Sequence, residues 1–251
     1  MLGNDIVDLR DPDARPETFR PRFDERVFDP VERHAIDHDD APHARRWAHW
    51  AAKEAAYKLA RQVEPRFVFA PSRLVARFRR ALQGPEGRIE RAGTIDLVEP
   101  LATGIDCIEL RSIETPDWVH VLALPRGADW DAVVSAVAPL GPDPVESDSL
   151  SAERPVDASG GVDPSVAVRR LAVERIARDL GIEADRITIG RRDRIPTVEI
   201  DGARSSMAIS LSHHGRFVAC AMTHRCDAIR IQETEVGRAH ALPGAHGAVA
   251  R

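Results

Sequence analysis

Cysteine is the first scarcity in this chain. Among 251 residues there are three, Cys107, Cys220 and Cys226, in neither a zinc-ligand spacing nor an even disulfide framework. That usage excludes a stapled secreted domain and fits a reducing compartment; Cys220, inside an apolar run, reads as a small core residue. A positive excess is also missing. The formal charge is −5 and the pI near 6.1, so nucleic acid is not an expected partner. No stretch approaches the roughly 18–20 apolar residues of a membrane span, so no membrane partner is expected. The N-terminus carries acids at Asp5 and Asp8 instead of a basic segment and an apolar run. A cytoplasmic protein is the expectation.

What is present is ordinary for a folded domain: 43% hydrophobic and 30% charged residues, on a chain long enough for one large domain or two small ones. Leu2 to Leu9 reads as a strand ending in acids. Phe23 to Asp37 has an approximate helical stripe, with Asp29-Pro30 marking a start within it, and Ala44 to Gln62 is rich in strong helix formers. After Pro65 the period turns strand-like, with runs at 67–69, 73–79, 93–98, 107–113 and 118–124. Helices followed by a run of strands predict an α+β fold. Asp129 to Val137 is expected as a short helix, and Gly141 to Val162 as a flexible Gly/Pro/Ser-rich linker. A second unit follows, with a helix over 166–180 closed by Gly181 and strands near 187–189, 197–200, 207–212 and 217–222. From His224 onward no apolar face is visible, and a disordered tail is expected.

Within the predicted helix, Glu54 and Lys58 lie four residues apart, so a carboxylate and an ammonium share one face. Alone, that spacing means a solvated ion pair. Residues 3–9, Gly-Asn-Asp-Ile-Val-Asp-Leu, and 209–221, with Ser212-His213-His214-Gly215 at a hairpin turn, change its meaning. An acidic strand end, a Lys-Glu-Ala helix and a Ser-His turn, in this order, resemble the signature of the 4′-phosphopantetheinyl transferases.

That resemblance implies two pseudo-symmetric halves, each with helices packed on a small antiparallel sheet. Residues 1–125 would carry Asp5 and Lys53-Glu54, 126–163 would be linker, 164–223 would carry Ser212-His213, and 224–251 would be tail. It further implies Mg²⁺-dependent transfer of 4′-phosphopantetheine from coenzyme A to a serine of an apo acyl or peptidyl carrier protein. The alternative is a non-catalytic module that holds coenzyme A or a carrier protein. By the resemblance Asp5 and Glu54 bind the metal, a hard-oxygen pair suited to Mg²⁺, with Asp8 as a further candidate although strand alternation points it away from Asp5. Glu54 and Lys58 are the catalytic candidates, as base and as counter-charge for pyrophosphate. Coenzyme A contacts fall on Lys53, Lys58, Ser212 and His213, and on Arg194 and Pro196, where Arg194-Ile195-Pro196 stands for the family's Gly-Lys-Pro turn. Arg10, Arg45 and Arg46 are candidates for an acidic carrier protein.

Residues 104–109, Gly-Ile-Asp-Cys-Ile-Glu, look like the metal motif as well, but no Lys-Glu-Ala helix follows them, so they are expected as an ordinary strand. Residues 1–124 resemble the second half of the larger, surfactin-synthetase-type enzymes and 164–223 the first. Halves in swapped order predict a monomer with one composite site between them.

Overall fold

The structure, a computed structural model, describes residues 1–79, 81–84, 87–141 and 162–223. It is α+β, built from small antiparallel sheets and few helices. Strand β1 (Gly3–Asp8) leads into helices α1 (Phe23–Val27), α2 (Pro30–Asp37) and α3 (Pro42–Val63). The stripe over 23–37 is two helices because Asp29 precedes a proline and is held extended, at φ −61° and ψ 153°. Asp29 caps the Val31 amide while Glu32 reaches back to the Asp29 amide, a capping box that starts α2.

Strands β2 (Val75–Phe78), β3 (Leu82–Gln83), β4 (Ile89–Asp96), β5 (Cys107–Glu114) and β6 (Trp118–Pro125) complete the first sheet, in the order β1-β6-β5-β4-β2 with β3 on β4. Of the 104–110 look-alike, 107–110 lie in β5 as expected, while 104–106 precede the strand. Residues 67–69 form no strand; Phe67 and Phe69 instead pack their rings on Tyr57 of α3. Helix α3 lies on this sheet through an alanine face, Ala48, Ala51, Ala52, Ala55, Ala56 and Ala60, all buried against Val7, Val119, Val121 and Ala123. Small side chains bring helix and sheet close. A Cβ on Gly3 would collide with the Ala55 carbonyl, so that strand position accepts only glycine.

The second unit consists of β7 (Val133–Pro139), α4 (Pro164–Leu180), β8 (Ile187–Arg192), β9 (Ile195–Ile200), β10 (Ala203–Arg204), β11 (Ile209–His214) and β12 (Phe217–Thr223). Its sheets run β11-β12-β7 and β10-β9-β8. Ala172 and Ile176 of α4 join Ile187, Val198, Ile209 and Cys220 in its core, and Gly181 ends the helix in the left-handed conformation at φ 65°.

Two expectations are corrected here. Residues 133–137 are not helical: Trp130–Ala132 makes one 3₁₀ turn, and Val133–Pro139 is a strand paired along its length with β12. A segment this rich in valine suits a sheet once a partner strand exists. The predicted 126–163 linker therefore contains the first strand of the second unit, and most of what remains of it, 142–161, lies outside the described residues, as does the tail 224–251.

With β7 in place an internal repeat emerges. The first unit orders its strands β1-β6-β5 and the second β7-β12-β11, antiparallel throughout. Val121 lies opposite both Asp5 and Ser112, and Ala219 opposite both Val137 and Ser212. The units meet where β1 exposes its second edge. Amides of Asn4, Ile6 and Asp8 donate to Ser210 Oγ (3.0 Å), Ser212 Oγ (3.2 Å) and His214 Nδ1 (3.2 Å), so side chains of β11 satisfy an edge that would otherwise lie unpaired.

Candidate functional site

The junction between β1, α3 and β11 brings together residues from opposite ends of the chain. Lys58 Nζ donates to Asp5 Oδ1 at 2.8 Å and to the Asn4 carbonyl at 3.0 Å. Ser212 Oγ donates to the same Asp5 oxygen at 2.7 Å while accepting from the Ile6 amide. Asp5 is 8% exposed. Glu54, one helical turn before Lys58, has its pKa pushed up to about 7 by burial and then by the negative charge of Asp5, with Lys58 pulling the other way. No described side chain donates a hydrogen bond to the Glu54 carboxylate. His213 is exposed beside Ser212, and its pKa is lowered by partial desolvation and by the Lys58 charge, with Asp163 and Asp5 opposing.

A groove leads away from Lys58 between α3 and the second unit. A cavity of about 320 Å³ is lined by Tyr57, Lys58, Arg61, Arg194, Pro196 and Ser210. It adjoins one of about 690 Å³ that reaches Met1, Gln62, Arg192, Thr197 and Arg204. Arg194 and Pro196, named from the sequence as coenzyme A contacts, both line this groove. Arg194 sits in a two-residue hairpin turn with positive φ at both Asp193 (51°) and Arg194 (68°), a conformation that usually selects Asn-Gly. Holding an arginine there is strained, and strain of this kind clusters at ligand sites.

Four sequence candidates lie elsewhere. Lys53 is fully buried, and its ammonium donates to Glu32 Oε2 (2.7 Å) and to the carbonyls of Pro71 (2.9 Å) and Leu74 (2.6 Å). All three protons are used, so it is a core ion and not a phosphate contact. Asp8 is 1% exposed and points away from Asp5; Arg216 grips both its oxygens at 2.8 and 2.7 Å, and the amides of Arg10 and Arg216 add two more bonds at 2.9 Å. Burial would raise its pKa, but those donors hold it down at about 2. A metal would have to displace them, so Asp8 is a latch between the units. Arg45 is 4% exposed, over the Phe78 ring, and Arg46 is bound to Asp24 at 2.9 Å. Neither is free for a carrier protein; Arg10, exposed and 2.8 Å from Asp117, is the one of the three at the surface.

Sequence reasoning missed Arg216, Arg61 and Gln62. The last two lie three and four residues beyond Lys58, so helical periodicity carried the signal. Gly215 carried one for the latch: its φ is 52°, and a Cβ there would stand 2.6 Å from Asp8 Oδ2.

Asp5 and Glu54 lie on an adjoining strand and helix, close enough for one charge to raise the other's pKa, beside the Ser212 hydroxyl and the Lys58 ammonium. Residues 1–68 match the family model of the 4′-phosphopantetheinyl transferase superfamily. The resemblance read from the sequence is borne out over that stretch, which runs from β1 through α3 and includes Asp5, Glu54 and Lys58. Over those residues the match supports a transferase of the phosphopantetheinyl type. No curated protein matches the chain. Among the described residues no helix is long and apolar enough to cross a membrane, and no group of three or more His, Cys, Asp or Glu side chains is placed to hold a metal. A pair of carboxylates nevertheless fits Mg²⁺, which normally takes one or two and completes its octahedron with water and phosphate oxygens.

Proposed function

We propose that the protein transfers 4′-phosphopantetheine from coenzyme A to a serine of an apo acyl or peptidyl carrier protein, releasing adenosine 3′,5′-bisphosphate. The observation that carries this reading is the convergence of Asp5, Glu54 and Lys58 from the first unit on Ser212 and His213 from the second. Asp5 and Glu54 would hold Mg²⁺, which when bound supplies charge neutralisation and Lewis-acid polarisation at the pyrophosphate.

In this reading the carrier serine oxygen bonds to the phosphorus that bears pantetheine, and the bond from that phosphorus to the bridging oxygen breaks. Glu54 accepts the serine proton. In the metal-free chain burial and the charge of Asp5 raise the Glu54 pKa to about 7, above the usual carboxylate range. Lys58, turned from Asp5 toward the pyrophosphate, offsets the charge that builds on the leaving oxygen. His213 holds a phosphate oxygen of coenzyme A and Ser212 steadies Asp5 through its hydroxyl, while Arg194, Pro196 and Arg61 wall the nucleotide end. Arg10, at the open end of β1, faces the acidic carrier. The internal repeat supports two related halves, and in this reading they form one composite site in a monomer.

The test is a mass measurement. Incubation with coenzyme A, Mg²⁺ and a panel of apo carrier proteins is expected to add the prosthetic-group mass to at least one of them. No gain across the panel sinks the transferase reading. Coenzyme A binding that ignores Mg²⁺ and survives Asp5→Ala would then identify a non-catalytic module.

A further inference from the structure

The internal repeat gives the groove beside Lys58 a counterpart. Aligning the row Asp5, Val121, Ser112 with the row Val137, Ala219, Ser212 places Val133 and Ser135 where Met1 and Gly3 stand, and Arg111 where Leu211 stands. Met1, β9 and β11 wall the first groove. Val133, Ser135, β4 and β5 wall a second cleft of about 610 Å³, a volume typical of small-molecule sites.

The two differ in charge. Val137 occupies the position of Asp5, and the one carboxylate that lines the second cleft, Glu90, is held by Arg88 at 2.8 Å. Four arginines line it. Arg91 is neutralised by Asp39 (2.9 Å) and Glu114 (3.0 Å). Arg79 and Arg111 are exposed, and among the described residues neither has a carboxylate within 4.0 Å. The Arg111 guanidinium lies 4.4 Å from the centre of the Trp130 ring, and Trp130 Nε1 is anchored on Glu109 Oε2 at 2.9 Å, so the stack is fixed before any ligand arrives. A stacked guanidinium keeps its in-plane N–H fork for an oxyanion. Leu82, 73% exposed, lines the same cleft with Ile113 and Leu122.

We propose that this cleft binds a phosphorylated small molecule, with Arg79 and Arg111 on the phosphate and Leu82, Ile113 and Leu122 against its apolar part. Lacking the acid pair of the first groove, it binds without turnover. The inference stands on the repeat and the cleft, and holds whether or not the transferase reading does.

The experiment uses the full chain in metal-free buffer, with phenyl phosphate and inorganic pyrophosphate as probes. Binding is followed by calorimetry and by indole fluorescence. Lys58→Ala disables the first groove, and in that protein phenyl phosphate is expected still to bind, more tightly than pyrophosphate. The joint change Arg79→Ala with Arg111→Ala is expected to weaken it about tenfold or more, and Trp130→Phe to remove the fluorescence response. The same arginine changes should leave carrier-protein modification unaltered. Affinity unchanged by the two arginine substitutions overturns the proposal, as does binding that vanishes with Lys58→Ala alone. Tighter binding of a poly-glutamate peptide than of phenyl phosphate also overturns it and makes the cleft a protein-docking surface.

Discussion

Helix α3 carries two lysine–glutamate arrangements within six residues, and they are opposites. On one side, Lys53 and Glu32 are fully buried and saturated with partners: Glu32 accepts from Lys53, from the Ala76 amide at 2.8 Å and from His49 at 3.4 Å. Burial pushes the Glu32 pKa up, yet those donors outweigh it and keep the carboxylate ionised. On the other side, Glu54 has burial without donors, and its pKa rises to about 7. The same residue types make a structural ion pair where every hydrogen-bonding group is matched, and a reactive carboxylate where one is left unmatched.

The largest effect is expected at the unmatched group. Glu54→Gln keeps shape and removes the base and one metal oxygen, and carrier-protein modification should fall by about 10²–10⁴-fold with the fold intact. Near-normal turnover in a timed mass assay would mean that Glu54 is not the base. Lys53→Ala should do the reverse, destabilising the protein by about 3–5 kcal/mol because Glu32 is left as an uncompensated buried charge. Denaturant titration reads that loss. If Lys53→Ala instead unfolds at the wild-type midpoint and loses coenzyme A affinity, the contrast between the two sides fails.

How much of this contrast was legible follows from where each partner lies. The helix was legible because alanine, lysine and arginine dominate it, and periodicity correctly set Lys53 off the Glu54 face. That Lys53 is buried was not, because its partner, Glu32, comes from a separate helix 21 residues upstream. Strand alternation correctly turned Asp8 away from Asp5, but its actual partner, Arg216, is 208 residues distant and touches β1 only once the two units meet. Residues 133–137 read as helix because a short valine and alanine run has no fixed period until a neighbouring strand selects one, and β12 lies some 80 positions further along. The Ser-His turn and the Arg194-Pro196 turn were legible as local motifs; Arg194 and Pro196 line the groove, and Ser212 bonds to Asp5.

The latch offers a smaller test, since Arg216 is half exposed. Arg216→Ala should lower the unfolding midpoint modestly and loosen the hold of the Ser212-His213 hairpin on β1, read as a raised KM for coenzyme A with kcat less affected. An unchanged KM would leave the latch a purely structural contact. Asp8 gives the same contact an acid signature: its folded pKa, about 2, lies below the ordinary 3.8, so its contribution is complete above that value and is lost as pH falls toward 2.

The smallest expected effect is the pH dependence of stability that Glu54 imposes on the metal-free protein. Its folded pKa lies above the ordinary carboxylate value of 4.5, so between 4.5 and about 7 the folded chain retains a proton that the unfolded chain has released. Unfolding then liberates a proton, and stability must decline as pH rises through that window. Glu54→Gln removes the group that titrates. Melting curves across the window should therefore fall less steeply with pH in the variant. Parallel slopes in wild type and Glu54→Gln would show that Glu54 is solvated like a surface carboxylate, and the two faces of α3 would then differ in burial but not in chemistry.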